Sequence, residues 1–487
     1  MDKNQPIALI KLQEEIEELF WFVKNQAKLA HDNYSLISQS KSHLGDLDET
    51  EQGVHKRLME LGQRLISEYF KELGSGDKGY RMTYDGRDYE RKHKERSESI
   101  LSVFGNIPYT QSIYFCGDGS SVRPLRAMAN LPERQISYFA QSFMARLGIQ
   151  DTYRESQEFY AEYFGYSLSP RTIEKVIEDQ LGSASDYEDQ RMLPRPEEEK
   201  TIGVVSFDGK GIQVVKSERT TGKTRESLVG CVYTAEPEKR DAEKIAKSLI
   251  LPEQISDKEK KSNQKKNNAQ NIEYYGSVTE PKKKVFSDVR DRAKARFSAA
   301  CIATVVCVMD GAPCLWRLAK KFFPKAVYIL DVIHVVDYIK LATSALEKDK
   351  KAAQVLAYTY LKTILEGRVN SVITSLKIRL TKNRIRGRRR TDIEKAITYF
   401  ENHKDYMRYD EYLEAGYPIA TGVVESACGH LVKDRMGIAG ARWSLRGAES
   451  VLKLRCIKAS GDWQEYKEIR KENERNRLYS NILDEAA

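Results

Sequence analysis

Three acids in this chain stand where a carboxylate could do chemistry. Asp208 follows the apolar run Ile202 to Phe207 (IGVVSF) and precedes Gly209, and Asp310 repeats the arrangement after Ile302 to Met309 (IATVVCVM), with Gly311 next. Short apolar, β-branched runs read as buried strands, so each carboxylate is expected at a strand end beside a residue with no side chain. Glu425 lies in TGVVESACGHLVKDRM, where the small residues Ser426, Ala427, Cys428 and Gly429 would let a helix bring it close to a bulky substrate. Carboxylates in loops that a rigid sheet positions suit hard divalent cations such as Mg²⁺ or Mn²⁺. A pair of such ions about 3.5 to 4 Å apart stabilises the attacking and leaving oxygens of a phosphodiester displacement. Each acid also has a plainer reading, since Asp-Gly is a common turn pair and a Glu in a first helical turn complements the helix dipole. Two strand-Asp-Gly endings followed by a helical acid favour the functional one. Asp331, after the strand-like AVYIL, and His334, one turn into the next helix, form a second cluster that could support Asp310. A helix-capping Asp with a locally bonded His fits them equally well, and no Cys or second His has the spacing of a zinc site.

Cations gather elsewhere. Arg379 to Arg390 (RLTKNRIRGRRR) holds seven Lys or Arg in twelve residues, namely Arg379, Lys382, Arg384, Arg386, Arg388, Arg389 and Arg390, with no acid among them. Such a run attracts a phosphate backbone through counterion release; a solvated helix face is the ordinary alternative. Lys433, Arg435, Arg442 and Arg446 flank Trp443, which could stack on an unpaired base or anchor a core. Tyr153 to Phe164, a break at Gly165, and Ser169-Pro170 followed by Arg171 to Gln180 have the form of two helices joined by a turn. Ser169 is placed as a cap and Pro170 at a first helical position. The pair reads as a DNA-binding helix-turn-helix carrying Arg171, or as a simple helical hairpin.

These residues need elements to position them. The chain has 487 residues, 80 of them Lys or Arg and 71 Asp or Glu, for a net charge of +9. That length implies several domains. No apolar run approaches a membrane span and no export signal is expected, so a cytoplasmic, nucleoid-associated protein is the expectation. Seven scattered cysteines without a CxxC pair read as reduced thiols. Residues 7–23 read as an amphipathic helix that packs internally or against another subunit. The polar stretch Asp77 to Glu98 reads as a spacer, and Ile100 to Phe115 as a hairpin turning at Gly105-Asn106. Residues 1–95 are therefore expected as an N-terminal helical region and 96–181 as a hairpin with the helix-turn-helix. A Ser-, Pro- and acid-rich linker covers 182–200. Strands at Ile202 to Phe207, Gly211 to Val215, Ser227 to Tyr233, Cys301 to Met309 and Ala326 to Leu330, alternating with helical patterns, imply an α/β core. Its first part spans 201–337 and its last part 413–465, with an all-helical insertion at 338–412, a lysine-rich excursion at 256–271 and a tail at 466–487.

VVSFDGKGIQV (Val204 to Val214), VVCVMDGAPCLWRLAKKFFPKAVYILDVIHVVDYI (Val305 to Ile339) and ATGVVESACGHLVKDRMGIAGARWSLRGAESVLKLRC (Ala420 to Cys456) resemble the three signature blocks of the ISKra-type insertion-sequence transposases. These are DDE recombinases with an RNase H-like core, related to the Mutator-like group, and the resemblance spans most of residues 95–470. It implies a mixed sheet flanked by helices with Asp208, Asp310 and Glu425 as catalytic, metal-holding acids and a pair of Mg²⁺ (or Mn²⁺) ions. Asp331 and His334 match the D-x-x-H block in a supporting role. It further implies binding of terminal inverted repeats and target DNA, cleavage by water, strand transfer by the freed 3′-hydroxyl, and at least a homodimer. Relatives commonly carry a CxxC pair after the hairpin, where this chain has only Cys116. A catalytically silent DNA-binding descendant and a metal-dependent nuclease without strand transfer are the alternatives.

Overall fold

The computed structural model describes residue 14 and residues 16–28, 46–92, 95–219, 222–254 and 269–483. Of the expected helix at 7–23, residues 14 and 16–23 are described and helical, the helix running on to 28, and the remainder lies outside the described residues. The chain divides into two compact units, one comprising Met1–Ser183 with Gln464–Ala487 and the other Ala184–Trp463.

In the first unit, α1 (Leu47–Leu73) starts at the cap Asp46, whose carboxylate accepts the Glu49 N–H at 2.9 Å. The stretch expected as a spacer is instead a hairpin, β1 (Arg81–Tyr84) against β2 (Arg87–Arg91). Its two-residue turn, Asp85-Gly86, has positive φ at both positions (50° and 65°), the backbone that a tight hairpin of this twist requires. β3 (Arg96–Ser102) and β4 (Gly105–Gln111) form the expected second hairpin, but Ser102 pairs with Gly105, so the turn is Val103-Phe104 and not Gly105-Asn106. β5 (Tyr114–Phe115) and β6 (Ser121–Val122) extend the first hairpin into a four-stranded sheet. After α2 (Pro124–Met128) and α3 (Tyr138–Gly148) come α4 (Tyr153–Phe164) and α5 (Pro170–Glu178). α4 is closed by a capping box at Thr152 and a left-handed Gly165, and α5 is capped by Ser169, whose hydroxyl accepts the Thr172 N–H.

The segment read as a linker is structured: α6 (Leu181–Gln190) buries Ala184 and Tyr187. Those two apolar positions, one turn apart, are enough to seat a helix of otherwise polar composition. β7 (Ile202–Gln213), β8 (Thr224–Ala235), α7 (Ala242–Ile250), β9 (Ala269–Ser277), α8 (Lys282–Ala299), β10 (Thr304–Met309), α9 (Pro313–Phe322) and β11 (Val327–Leu330) follow. They build a five-stranded mixed sheet in the order β11-β10-β7-β8-β9. β7, β10 and β11 run parallel and β8 and β9 antiparallel to their neighbours. β9 begins in the stretch read as an excursion, and 255–268 lie outside the described residues. α8 covers one face, stacking Phe286 on Phe207 at 3.6 Å. Gly203 leaves the space this needs, because a Cβ there would stand 2.5 Å from the Phe297 ring.

Beneath α8 lies a buried ionic network. Arg296, fully buried, meets Glu199 at 2.8 Å and Glu273 at 3.4 Å, while Arg292 reaches Glu273 at 2.7 Å. Residues 338–412 are helical as expected but broken into α10 (Val332–Leu346), α11 (Lys350–Leu365), α12 (Val369–Lys382), α13 (Gly387–His403) and α14 (Tyr409–Glu414). α15 (Gly422–Ala427), a π-helical turn over Cys428–Lys433, α16 (Asp434–Met436) and α17 (Leu445–Ala459) complete this unit. The tail is α18 (Trp463–Leu483), and from Gln464 it belongs to the first unit, burying Tyr466 and Tyr479. All seven cysteines are free thiols. No helix among the described residues is long and apolar enough to cross a membrane.

Candidate functional site

Asp208 does not end its strand. β7 continues to Gln213 because β8 pairs with it residue by residue, Asp208 opposite Val229 and Gln213 opposite Thr224. On the other side of β7 the parallel partner β10 stops at Met309, which pairs with Phe207. Asp208 and Asp310 are therefore each one residue past the same pair on adjacent parallel strands, which lie about 4.8 Å apart. Met309 also pairs with Leu330, so Asp331 takes the corresponding place after β11. Three aspartates thus stand at one level on three neighbouring parallel strands, Asp310 and Asp331 just past the carboxyl ends of β10 and β11 and Asp208 where β7 loses its parallel partner; the carboxyl ends of such strands are where α/β sheets place their ligand sites.

Their environments differ. Burial pushes the Asp208 carboxyl above the usual carboxylate range; the Cys428 S–H and the Gly209 N–H at 2.7 Å oppose that, the charge of Asp310 adds to it, and His334 counters it. A like charge beside a half-buried carboxylate is relieved by a bound cation. Asp310 spends one oxygen on the Ala312 N–H at 3.0 Å. Asp331 is fully buried, with its carboxyl raised mainly by that burial. It caps α10 by accepting the Ile333 N–H at 2.9 Å, and its other oxygen accepts the Thr421 hydroxyl. Its geometry is that of the helix-capping reading, with both oxygens engaged inside the fold. His334, half-buried in the first turn of α10, acts on both Asp208 and Asp331.

Glu425 is exposed on α15, three residues before the buried Cys428. That spacing puts Glu425 one turn from the thiol that touches Asp208. The π-turn after it is a distortion often found at functional sites. Among the described residues, however, no three His, Cys, Asp or Glu side chains are grouped closely enough to hold a metal ion. The sheet thus brings Asp208 and Asp310 together without drawing Glu425 into a closed three-acid set. The charge of one acid acts on the other, an arrangement whose donor chemistry suits hard divalent cations.

The basic stretch separates by role. Arg389 donates to the Ala345 and Leu346 carbonyls at 2.6 and 3.0 Å, closing the end of α10. Arg379 pairs with Glu347 at 3.1 Å and Arg390 with Glu394 at 2.8 Å. Lys382, Arg384, Arg386 and Arg388 are exposed around the α12–α13 turn, and none has an ion-pair partner among the described residues. Trp443 is a core anchor: 6% exposed, it donates its indole N–H to Met436, pairs its backbone with Gln213 and Val215, and is covered by the buried Arg435 at 4.7 Å. Neither residue has a face free for a base. Lys433, Arg442 and Arg446 are exposed. Arg171 is exposed and pairs with Glu174 at 2.5 Å. Sequence reasoning missed Cys428 and Thr421, which touch Asp208 and Asp331; the small-residue flank ESACG was the signal for Cys428.

No family model matches the chain, and no curated protein does. Among solved structures it is similar to a Drosophila P element transposase strand transfer complex, with a TM-score of 0.33 and 9% identity over 67% of this chain and 93% of that one.

Proposed function

We propose that the chain is a DDE-type DNA transposase of an insertion sequence, built on an RNase H-like core, that cuts and joins DNA with divalent ions. The observation that carries this reading is the register of Asp208 and Asp310 on adjacent parallel strands at the centre of a mixed sheet flanked by helices. In this reading Asp208 and Asp310 hold Mg²⁺ (or Mn²⁺), and Glu425 supplies the third acid. When bound, the ions stabilise the attacking and leaving oxygens of an in-line displacement at phosphorus. In this reading the Cys428 S–H holds the Asp208 carboxylate in place. Water and then the freed 3′-hydroxyl are the nucleophiles, so no Ser or Tyr of the chain forms a bond to DNA. The exposed cations of the α12–α13 turn hold the backbone, the α4–α5 pair with Arg171 reads the terminal repeats, and two copies hold two element ends. Such a protein works on the nucleoid.

The test gives purified protein Mg²⁺, labelled terminal repeats and a target plasmid. Joined products support transposition, cut ends alone indicate a nuclease, and a bound but unaltered duplex indicates a silent DNA-binding descendant. A separate prediction concerns the turn: changing Lys382, Arg384, Arg386 and Arg388 together to Ala weakens DNA binding regardless of sequence. It lowers the slope of log affinity against log salt by about 3 to 4, at roughly 0.9 for each phosphate no longer neutralised. An unchanged slope in a fluorescence-anisotropy salt titration assigns the DNA backbone to another surface.

A further inference from the structure

We infer that Tyr399 and His403, at the C-terminal end of insertion helix α13, are positioning residues for Asp310; this rests on the proposed ion site at Asp208 and Asp310. β10 ends at Met309, so the strand ladder does not hold the Asp310-Gly311 backbone. The insertion holds it instead. The Tyr399 hydroxyl donates to the Asp310 carbonyl at 2.9 Å, and His403 Nε2 lies 2.9 Å from the Gly311 carbonyl oxygen. Nδ1 of the same ring lies 2.7 Å from the Tyr399 carbonyl oxygen. The Tyr399 ring is in turn stacked on Tyr338 of α10 at 3.8 Å and 12°. The turn is shaped to this grip: Gly311 has φ +98°, and a Cβ there would stand 3.0 Å from the Tyr399 hydroxyl and 3.1 Å from His403 Nε2.

Both contacts go to backbone carbonyls and neither to the carboxylate, so both side chains act through the Asp310 peptide and occupy neither carboxylate oxygen. A carboxylate facing the like charge of Asp208 must be held in place while the cation is absent, and a bracket on its own peptide does this. α13 is about 25 Å long at 1.5 Å per residue. Its first turn adjoins the exposed cations and its last turn grips the acid. One rigid element therefore serves the proposed DNA-backbone surface and the proposed ion site together.

The test measures Mn²⁺ binding to the full-length, DNA-free protein by electron paramagnetic resonance, alongside kcat and KM for strand cleavage. Tyr399→Phe deletes one hydroxyl and keeps the stack on Tyr338. It is expected to weaken Mn²⁺ binding and lower kcat by about 10- to 100-fold, the usual cost of losing a group that orients a metal ligand. KM for DNA and the thermal midpoint stay unchanged. His403→Gln follows the same pattern, and Tyr338→Phe, whose hydroxyl makes no bond to Asp310, behaves as the parent protein. Parental Mn²⁺ affinity and kcat in both Tyr399→Phe and His403→Gln overturn the inference. A parent protein that binds no more Mn²⁺ than an Asp208→Asn, Asp310→Asn double variant overturns the ion site itself, a failure visible before any Tyr399 variant is made.

Discussion

Asp208→Asn lowers the rate of DNA strand cleavage by about a thousandfold or more and leaves DNA affinity within about twofold of the parent. The first figure is about 4 kcal/mol of lost transition-state stabilisation at 1.36 kcal/mol per tenfold, within the several kcal/mol that a correctly held metal ion supplies. The amide keeps the shape of the side chain and can still accept the Gly209 N–H, which bonds Asp208 at 2.7 Å, so the strand is undisturbed. What disappears is one of two adjacent negative charges, and with it the reason for a cation to sit there. Affinity survives because the exposed cations of Lys382, Arg384, Arg386 and Arg388 are part of a separate helical insertion. Cleavage of labelled duplex by gel and binding by anisotropy give the two numbers. A variant that cuts at the parent rate removes Asp208 from the chemistry.

Arg296→Met destabilises the sheet unit by about 3 to 5 kcal/mol, the cost of leaving a buried charge without its partner. Glu199 is almost fully buried and receives two guanidinium N–H donors from Arg296, at 2.8 and 3.0 Å. Its remaining partners, the Thr234 hydroxyl at 2.8 Å and the Asn271 amide at 3.2 Å, are neutral. Replacing both residues, as Arg296→Met with Glu199→Leu, recovers most of the loss, because the penalty lies in the orphaned carboxylate and not in the missing attraction. Denaturant titration followed by tryptophan fluorescence separates the cases. Equal losses in the single and double variants would show that packing, and not charge, is what Arg296 provides.

The parts of this molecule legible in its sequence are those with a local cause. The apolar runs before Asp208 and Asp310 became β7 and β10, and Ser169-Pro170 opens α5. Strand pairing is not local: nothing in IGVVSFDG says that β8 will keep pairing past Asp208 to Gln213. β9 was obscured by the lysine-rich residues beside it, and α6 by a composition in which only Ala184 and Tyr187 carry the burial. Side-chain roles were the least legible. Arg389 and its neighbour Arg388 are the same residue type in the same run, yet the first closes a helix on two carbonyls and the second faces solvent. Trp443 and Arg435 became each other's cover for the same reason, since Gln213, the last residue of distant β7, meets Trp443 only in the folded chain. The grip of Tyr399 and His403 on Asp310 and Gly311 spans about ninety residues of sequence and leaves no trace in either segment alone.

The proposed chemistry depends on a cation held between two neighbouring strands, and anomalous diffraction from crystals of the full chain grown with Mn²⁺ addresses it directly. The expected result is a peak within coordination distance, about 2.0 to 2.2 Å, of carboxylate oxygens from both Asp208 and Asp310. Mn²⁺ bound elsewhere on the protein while this pair stays empty contradicts it.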